Sequence, residues 1–371
     1  MDAGAHERAG EAIHGMVTPG ARRVLLVVAA ATLVLAIAGG LLRAGVDLAA
    51  ADAMLLPRAA VFHAALLVSG FFGTVIAIER AVALGARLAY LVPLFSALGA
   101  VLLLAGLEHA GAASGVLAAL VFVLVNAALV RKQPAAHTAM LLVSAIAWLA
   151  GNAAFALRGS LDAIAWWFAY LVLTIAAERL EMTRLSRRRR GSREAFFAAT
   201  ALLVAGAAAS MAEPRIGGML YGFALVLVAA WLAAFDIARR TVKAEGLARY
   251  MALCLLGGYA WLAIGGAAWI GMASGAPLRD LAFHALGLGF VTTMVMAHAP
   301  VILPAIARVR VHFSGAFYVP LVLMHVSLLV RAAAGGEAGA LRSIGAQLNA
   351  AALAAFVAVV AFSVLRRPRP A

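Results

Sequence analysis

Residues 283–306 read FHALGLGFVTTMVMAHAPVILPAI, a run with no Asp, Glu, Lys or Arg in it. A surface helix of a soluble domain carries a charged face. This run has none, and its length matches the roughly 20 apolar residues needed to cross a bilayer core of about 30 Å. Two histidines interrupt it, His284 and His298. On a regular α-helix, fourteen positions return to within about 40° of one face and advance roughly 21 Å. Imidazoles are costly in hydrocarbon and face protein rather than lipid. The stretch therefore predicts a membrane-spanning helix with one histidine in each half of the bilayer, and further spans around it.

Those spans are present. Of the 371 residues, 65% are hydrophobic and 12% charged, and mean hydropathy is +1.00. Soluble domains carry about 25% charged residues. Apolar runs predict twelve helices, at about 24–42, 59–84, 88–107, 112–130, 135–156, 161–183, 194–212, 216–236, 248–273, 280–305, 315–333 and 344–365. No alternating ten-residue segments of a transmembrane barrel occur. The expected fold is an all-α polytopic bundle forming a single transmembrane domain over 1–371, with a short tail at 1–22 and a basic tail at 366–371. The first run, after Arg22 and Arg23, is long for a cleaved leader and reads as a signal anchor. The single Cys254 gives neither a disulfide framework nor a cysteine metal site.

The net charge of +14 is a topology signal. With the N-terminus cytoplasmic, 22 of the 30 basic residues fall in inside segments and seven in outside loops (Arg43, Arg58, Arg158, Arg215, Arg279, Arg331 and Arg342), with Arg179 at the inner end of helix 6. That three-to-one bias predicts cytoplasmic N- and C-termini in a bacterial inner membrane. The RLSRRRR run at 184–190 reads as part of this anchor, so the expected partner is the lipid bilayer and not nucleic acid.

Helices 1 and 12 have no ionisable residue in their apolar centres and read as lipid-facing scaffold, with helices 3, 4, 7 and 8 similar and rich in Ala and Gly. Trp166 and Trp167 fit an interfacial aromatic belt. Helix 2 carries His63 about 6 Å inside its outer end, with Gly70 and Thr74 within about 20° of the same face. Glu79 and Arg80 end helix 2; Glu178, Arg179 and Glu181 end helix 6. Such Glu–Arg pairs serve as interfacial ion pairs or as proton relays. His137 opens helix 5 at the inner surface, and His325 lies near the middle of helix 11. His6, His14, His109 and His312 fall in the tail or loops, where they read as solvated.

Three readings use these residues. The first is ligation of haem or copper by neutral imidazole: His63 and His284 share a depth and form the outer axial pair, while His298 and His325 supply a second site. Met294, one turn before His298, is a soft ligand for copper. The second is a proton-coupled small-solute transporter using Glu79, Glu178 and His298, with Pro300 and Pro304 breaking helix 10. In the third, the histidines only hold helices together.

The segments HAALLVSGFFGTVIAIERAVAL and FHALGLGFVTTMVMAHAP resemble the NnrS family of bacterial polytopic membrane proteins. A longer polar motif and a His-Thr-Gly turn of that family are not found here, which marks a divergent member. The resemblance implies haem b and copper as cofactors, a role in the response to nitric oxide or nitrosative stress, and ligand positions at His63, His284, His298 and, more weakly, His325. The twelve-helix plan is also similar to the haem–copper oxidase large subunit. That subunit's adjacent His-His pair and His-x-x-x-Tyr element are absent, so any catalysis expected is that of a membrane haem redox protein, supplied by a quinol or small redox donor, and not of a terminal oxidase.

Overall fold

The computed structural model describes residues 19–48, 54–183, 191–307, 309–335 and 339–365. His6, His14, the arginine run at 184–190, Arg308 and the 366–371 tail lie outside the described residues. Among the described residues there is no strand, and twelve helices are long and apolar enough to cross a membrane. The chain is an all-α, multi-pass membrane protein. In order the helices are α1 (Pro19–Arg43), α2 (55–84), α3 (Arg87–Ala105), α4 (Glu108–Lys132), α5 (Ala136–Arg158), α6 (Ser160–Met182), α7 (Ser192–Ala209), α8 (Pro214–Phe235), α9 (Gly246–Ala273), α10 (279–307), α11 (Gly315–Ala333) and α12 (Ala340–Leu365).

Hydropathy set these spans, and caps set their ends. Helices α2 and α3 stop at Gly85 (φ 74°) and Gly106 (φ 86°), whose left-handed backbone closes the last turn. Pro214 opens α8, where its missing N–H has no helical acceptor to lose. Burial differs among the spans. In its most apolar window α12 is 22% buried and α1 28%, as expected of lipid-facing scaffold, whereas α6 is 67% buried.

Contacts group the chain into two compact units, 1–40 with 48–167 and 41–47 with 168–371. In the first, α2 packs on α1 and α3, α3 on α4, and α4 on α5. Asn152 on α5 is its polar hub. The amide accepts from Ser69 Oγ of α2 (2.7 Å) and Trp167 Nε1 of α6 (2.9 Å), and donates to the Gly115 carbonyl of α4 (2.7 Å). Trp148 Nε1 donates to Ser69 Oγ at 3.2 Å, and Ser96 of α3 donates to the Ser69 carbonyl. Trp167 is thus fully buried and Trp166 nearly so, and neither forms the interfacial belt that the sequence suggested. The buried Asn152 carbonyl needs a donor, and the indole N–H supplies it. In the second unit α7 packs on α8, α8 on α9, α9 on α10, α10 on α11 and α11 on α12.

Two helices contain wide turns. In α2, residues Leu66–Phe72 form a π-helix; in α10, Ala285–Thr292 do the same. Each residue inserted in a wide turn sets everything after it back by about 100°. A single such insertion moves His298 from about 40° to about 140° off the stripe of His284, which overturns the shared face deduced for a regular helix. Nor does α10 break at its prolines, for the helix runs through Pro300 and Pro304 to Ala307. The irregularity lies before His298, not after it.

Candidate functional site

His63 and His284 each sit at the threshold of a π segment, and each donates Nδ1–H to a backbone carbonyl. His63 Nδ1 lies 2.6 Å from the Ala36 carbonyl of α1, and His284 Nδ1 lies 2.8 Å from the Asp280 carbonyl one turn earlier. A carbonyl only accepts, so Nδ1 carries a proton, and in the neutral ring the electron pair is on Nε2. Imidazoles that bind metals hold the second ring nitrogen in this way, donating it to a carbonyl or carboxylate. Gly40 makes room for the His63 ring, since a Cβ there would fall 2.6 Å from its Cε1.

Around His284 the support is ionic. Asp280 Oδ1 lies 3.5 Å from Nδ1, and Arg331 of α11 clamps the carboxylate with Nε–Oδ2 at 2.6 Å and Nη2–Oδ1 at 2.9 Å. Arg342 of α12 stands 3.7 Å from Oδ1. Arg331 also reaches Asn349 Oδ1 at 3.4 Å, and Asn349 Nδ2 donates to Ser327 Oγ at 2.5 Å. The bidentate pair fixes the start of α10 against α11 and α12.

His298 has a different neighbour. Its Nδ1 donates to the Met294 carbonyl at 2.7 Å, and Arg179 Nη2 on α6 donates to its Nε2 at 3.1 Å. Arginine has no acceptor, so His298 is neutral and its electron pair is engaged. A metal at Nε2 displaces that donor. Arg179 Nη1 lies 3.9 Å from Asp236 Oδ2, whose side chain is fully enclosed and whose Oδ1 caps Ala238 N at 2.7 Å.

His325 is held in the opposite tautomer. Trp261 Nε1 donates to its Nδ1 at 2.8 Å, which leaves the proton on Nε2. Met294 is buried, with its terminal methyl against Gly258. Among the described residues, no three His, Cys, Asp or Glu side chains gather as a metal site. Of the copper candidates, His298 has the electron pair of Nε2 engaged by Arg179, and His325 carries its proton on Nε2. His63 and His284 each donate Nδ1–H to a backbone carbonyl, as haem-ligating imidazoles do.

Glu79 and Arg80 stand 3.8 Å apart and part-exposed at the end of α2, and Glu178 is half-buried beside Arg179. His137 is buried at the start of α5, and His109 is exposed. His312 is not merely solvated, because its Nδ1 donates to the Ser363 carbonyl of α12 at 3.1 Å.

Four participants escaped the sequence reading: Asp280, Arg331, Asp236 and Trp261. Asp280 was readable as the residue four before His284, on the same helical face. A second signal also went unused. Both histidine helices carry Phe-His-Ala and then Gly-Phe-x-x-Thr, at Phe62–Thr74 and Phe283–Thr293. In each, the threonine hydroxyl donates back to the glycine carbonyl, Thr74 to Gly70 and Thr293 to Gly289, both at 2.6 Å.

Comparison with curated proteins finds no match for the chain, and neither does comparison with solved structures. One family does match, over residues 22–365. With nearly the whole chain covered, from the start of α1 to the end of α12, the protein belongs to the family described as Domain of unknown function (DUF8744).

Proposed function

We propose that this protein binds haem b in the bacterial inner membrane, with His63 and His284 each a candidate axial ligand through Nε2, one in each unit of the chain. The observation that carries the reading is the similar pair of settings: an imidazole with Nδ1–H on a backbone carbonyl and a π segment that begins within three residues of it. Wide helical turns are rare and concentrate at functional positions. Haem iron supplies one-electron chemistry when bound. The chain's own part is to aim two imidazoles, fix their tautomers and, at His284, place the Asp280–Arg331 pair beside the ring. A place in the response to nitric oxide rests on the NnrS resemblance, and both termini in the cytoplasm rest on the distribution of Arg and Lys.

The optical spectrum tests this. The purified protein is expected to show a Soret band that His63→Ala and His284→Ala each diminish. A colourless preparation from haem-replete cells rejects the reading. Fusions at the C-terminus test orientation: a fluorescent protein should mature there, and alkaline phosphatase should stay inactive.

One observation favours a second reading, a proton-coupled transporter. Arg179, Asp236 and His298 form a mostly buried ionisable network where α6 and α8 end, and such groups in membrane proteins commonly mark ion paths. Proton-coupled uptake lost in His298→Ala, by a colourless protein, would support it over haem.

A further inference from the structure

The haem proposal leaves His325 unused. His325 is near the middle of α11, about 15 Å from the helix's first residue and about 12 Å from its last. Its ring lies parallel to Trp261 of α9, at an interplanar angle of 10° with centroids 6.5 Å apart. The indole N–H takes Nδ1, so the remaining proton sits on Nε2. That side of the ring faces Gly257, where a Cβ would come 2.9 Å from both Cε1 and Nε2. Among the described residues Nε2 has no hydrogen-bond partner, and it is not enclosed. The exposed row of α11 (Val319, Val322, Val326 and Leu329) begins about 40° around the helix from His325. On α9, Ala260 and Ile264 are exposed beside it.

These positions put a fixed N–H donor on the rim of the lipid-facing surface at mid-depth. A donor without an acceptor in hydrocarbon is costly. Lipid ester carbonyls lie near the headgroups, roughly 15 Å away at the edge of the core. A molecule that dissolves at this depth and carries a flat ring with strong carbonyl acceptors is a quinone. We propose that His325 and Trp261 form a lipid-accessible quinone site. Nε2–H donates to a quinone carbonyl, Gly257 leaves space for the imidazole, and Trp261 sets the tautomer that makes the donor.

The test uses the full-length protein in nanodiscs of quinone-free synthetic phosphatidylcholine, titrated with decyl-ubiquinone while tryptophan emission is followed. Saturable quenching above the linear partitioning background is expected. His325→Leu should weaken binding about five- to tenfold, the worth of one hydrogen bond. His325→Gln, which restores an N–H, should recover most of it. Trp261→Phe, assayed by quinone retained over empty nanodiscs, should weaken binding by releasing the tautomer, and serves if His325→Leu does not fold. Linear quenching in the unaltered protein, or equal saturation in His325→Leu, overturns the proposal. It does not depend on haem: a colourless protein that binds quinone sinks the haem reading alone, and a haem-loaded protein with linear quenching sinks this one alone.

Discussion

Arg179 Nη2 and His298 Nε2 lie 3.1 Å apart although 119 residues separate them in the chain. The arginine also faces the enclosed carboxylate of Asp236. One cation therefore serves an anion that no water reaches and a histidine that must stay neutral to accept from it. Removing the cation strands the carboxylate. Arg179→Leu should lower stability by about 3–5 kcal/mol, the penalty for breaking a buried pair from one side. The double variant Arg179→Leu with Asp236→Asn should regain most of the loss. Thermal melts of the four proteins of this cycle measure the coupling, and additive losses would show that the pair is not coupled.

Asn152 joins α2, α4 and α6 through three hydrogen bonds. Within membranes such bonds are worth about 0.6 kcal/mol each on average and about 1.7 at most. Asn152→Leu should accordingly cost about 2–4 kcal/mol. It should also shift Trp167 emission, because the indole loses its acceptor. Unchanged melting and emission would show the hub to be dispensable.

At Gly40 the argument concerns space. A side chain there presses on the His63 ring. Gly40→Val should tilt the imidazole and, if His63 binds haem, reduce haem per protein several-fold while α1 stays folded. Pyridine haemochrome content against monodisperse elution is the measurement. Full haem loading would mean that the ring is not a ligand.

Asp280 lies beside the proton-bearing nitrogen of His284. If His284 binds haem, a carboxylate there would raise the electron density of the ring and favour oxidised iron. Its replacement in Asp280→Asn should raise the midpoint potential, by about 60 mV if the effect is worth 1.4 kcal/mol. Redox titration gives the shift; a fall, or no change, counts against His284 as a ligand.

Hydropathy made the twelve spans legible because each long apolar run has only one thing it can do in a bilayer. What it does not record is hydrogen-bond register. Leu66–Phe72 and Ala285–Thr292 have the same apolar character whether their turns are α or π. The deduction that His284 and His298 share a stripe failed for that reason. Pro300 misled in the opposite sense: a proline removes one donor, yet the helix continues across it. Partners far apart in sequence were equally hidden. Nothing local ties Arg179 to His298, or Trp261 to His325, whereas Asp280 shares a helical face with His284 and was there to be read. Trp166 and Trp167 show the limit of composition, since an aromatic pair near a span end reads as interfacial unless the buried Asn152 that claims Trp167 is known.

The wide turn in α10 also has a mechanical side. An α-helix transmits torsion faithfully, because every carbonyl is latched to the same next turn. Between His284 and His298 that latch is slack for eight residues. The length anchored by Asp280 on Arg331 and the length anchored by His298 on Arg179 are two shafts joined by a swivel. Migration of the extra residue along the segment turns the residues it passes by about 100° while both shafts stay clamped. Side chains between the two anchors can thus be re-aimed without moving either end.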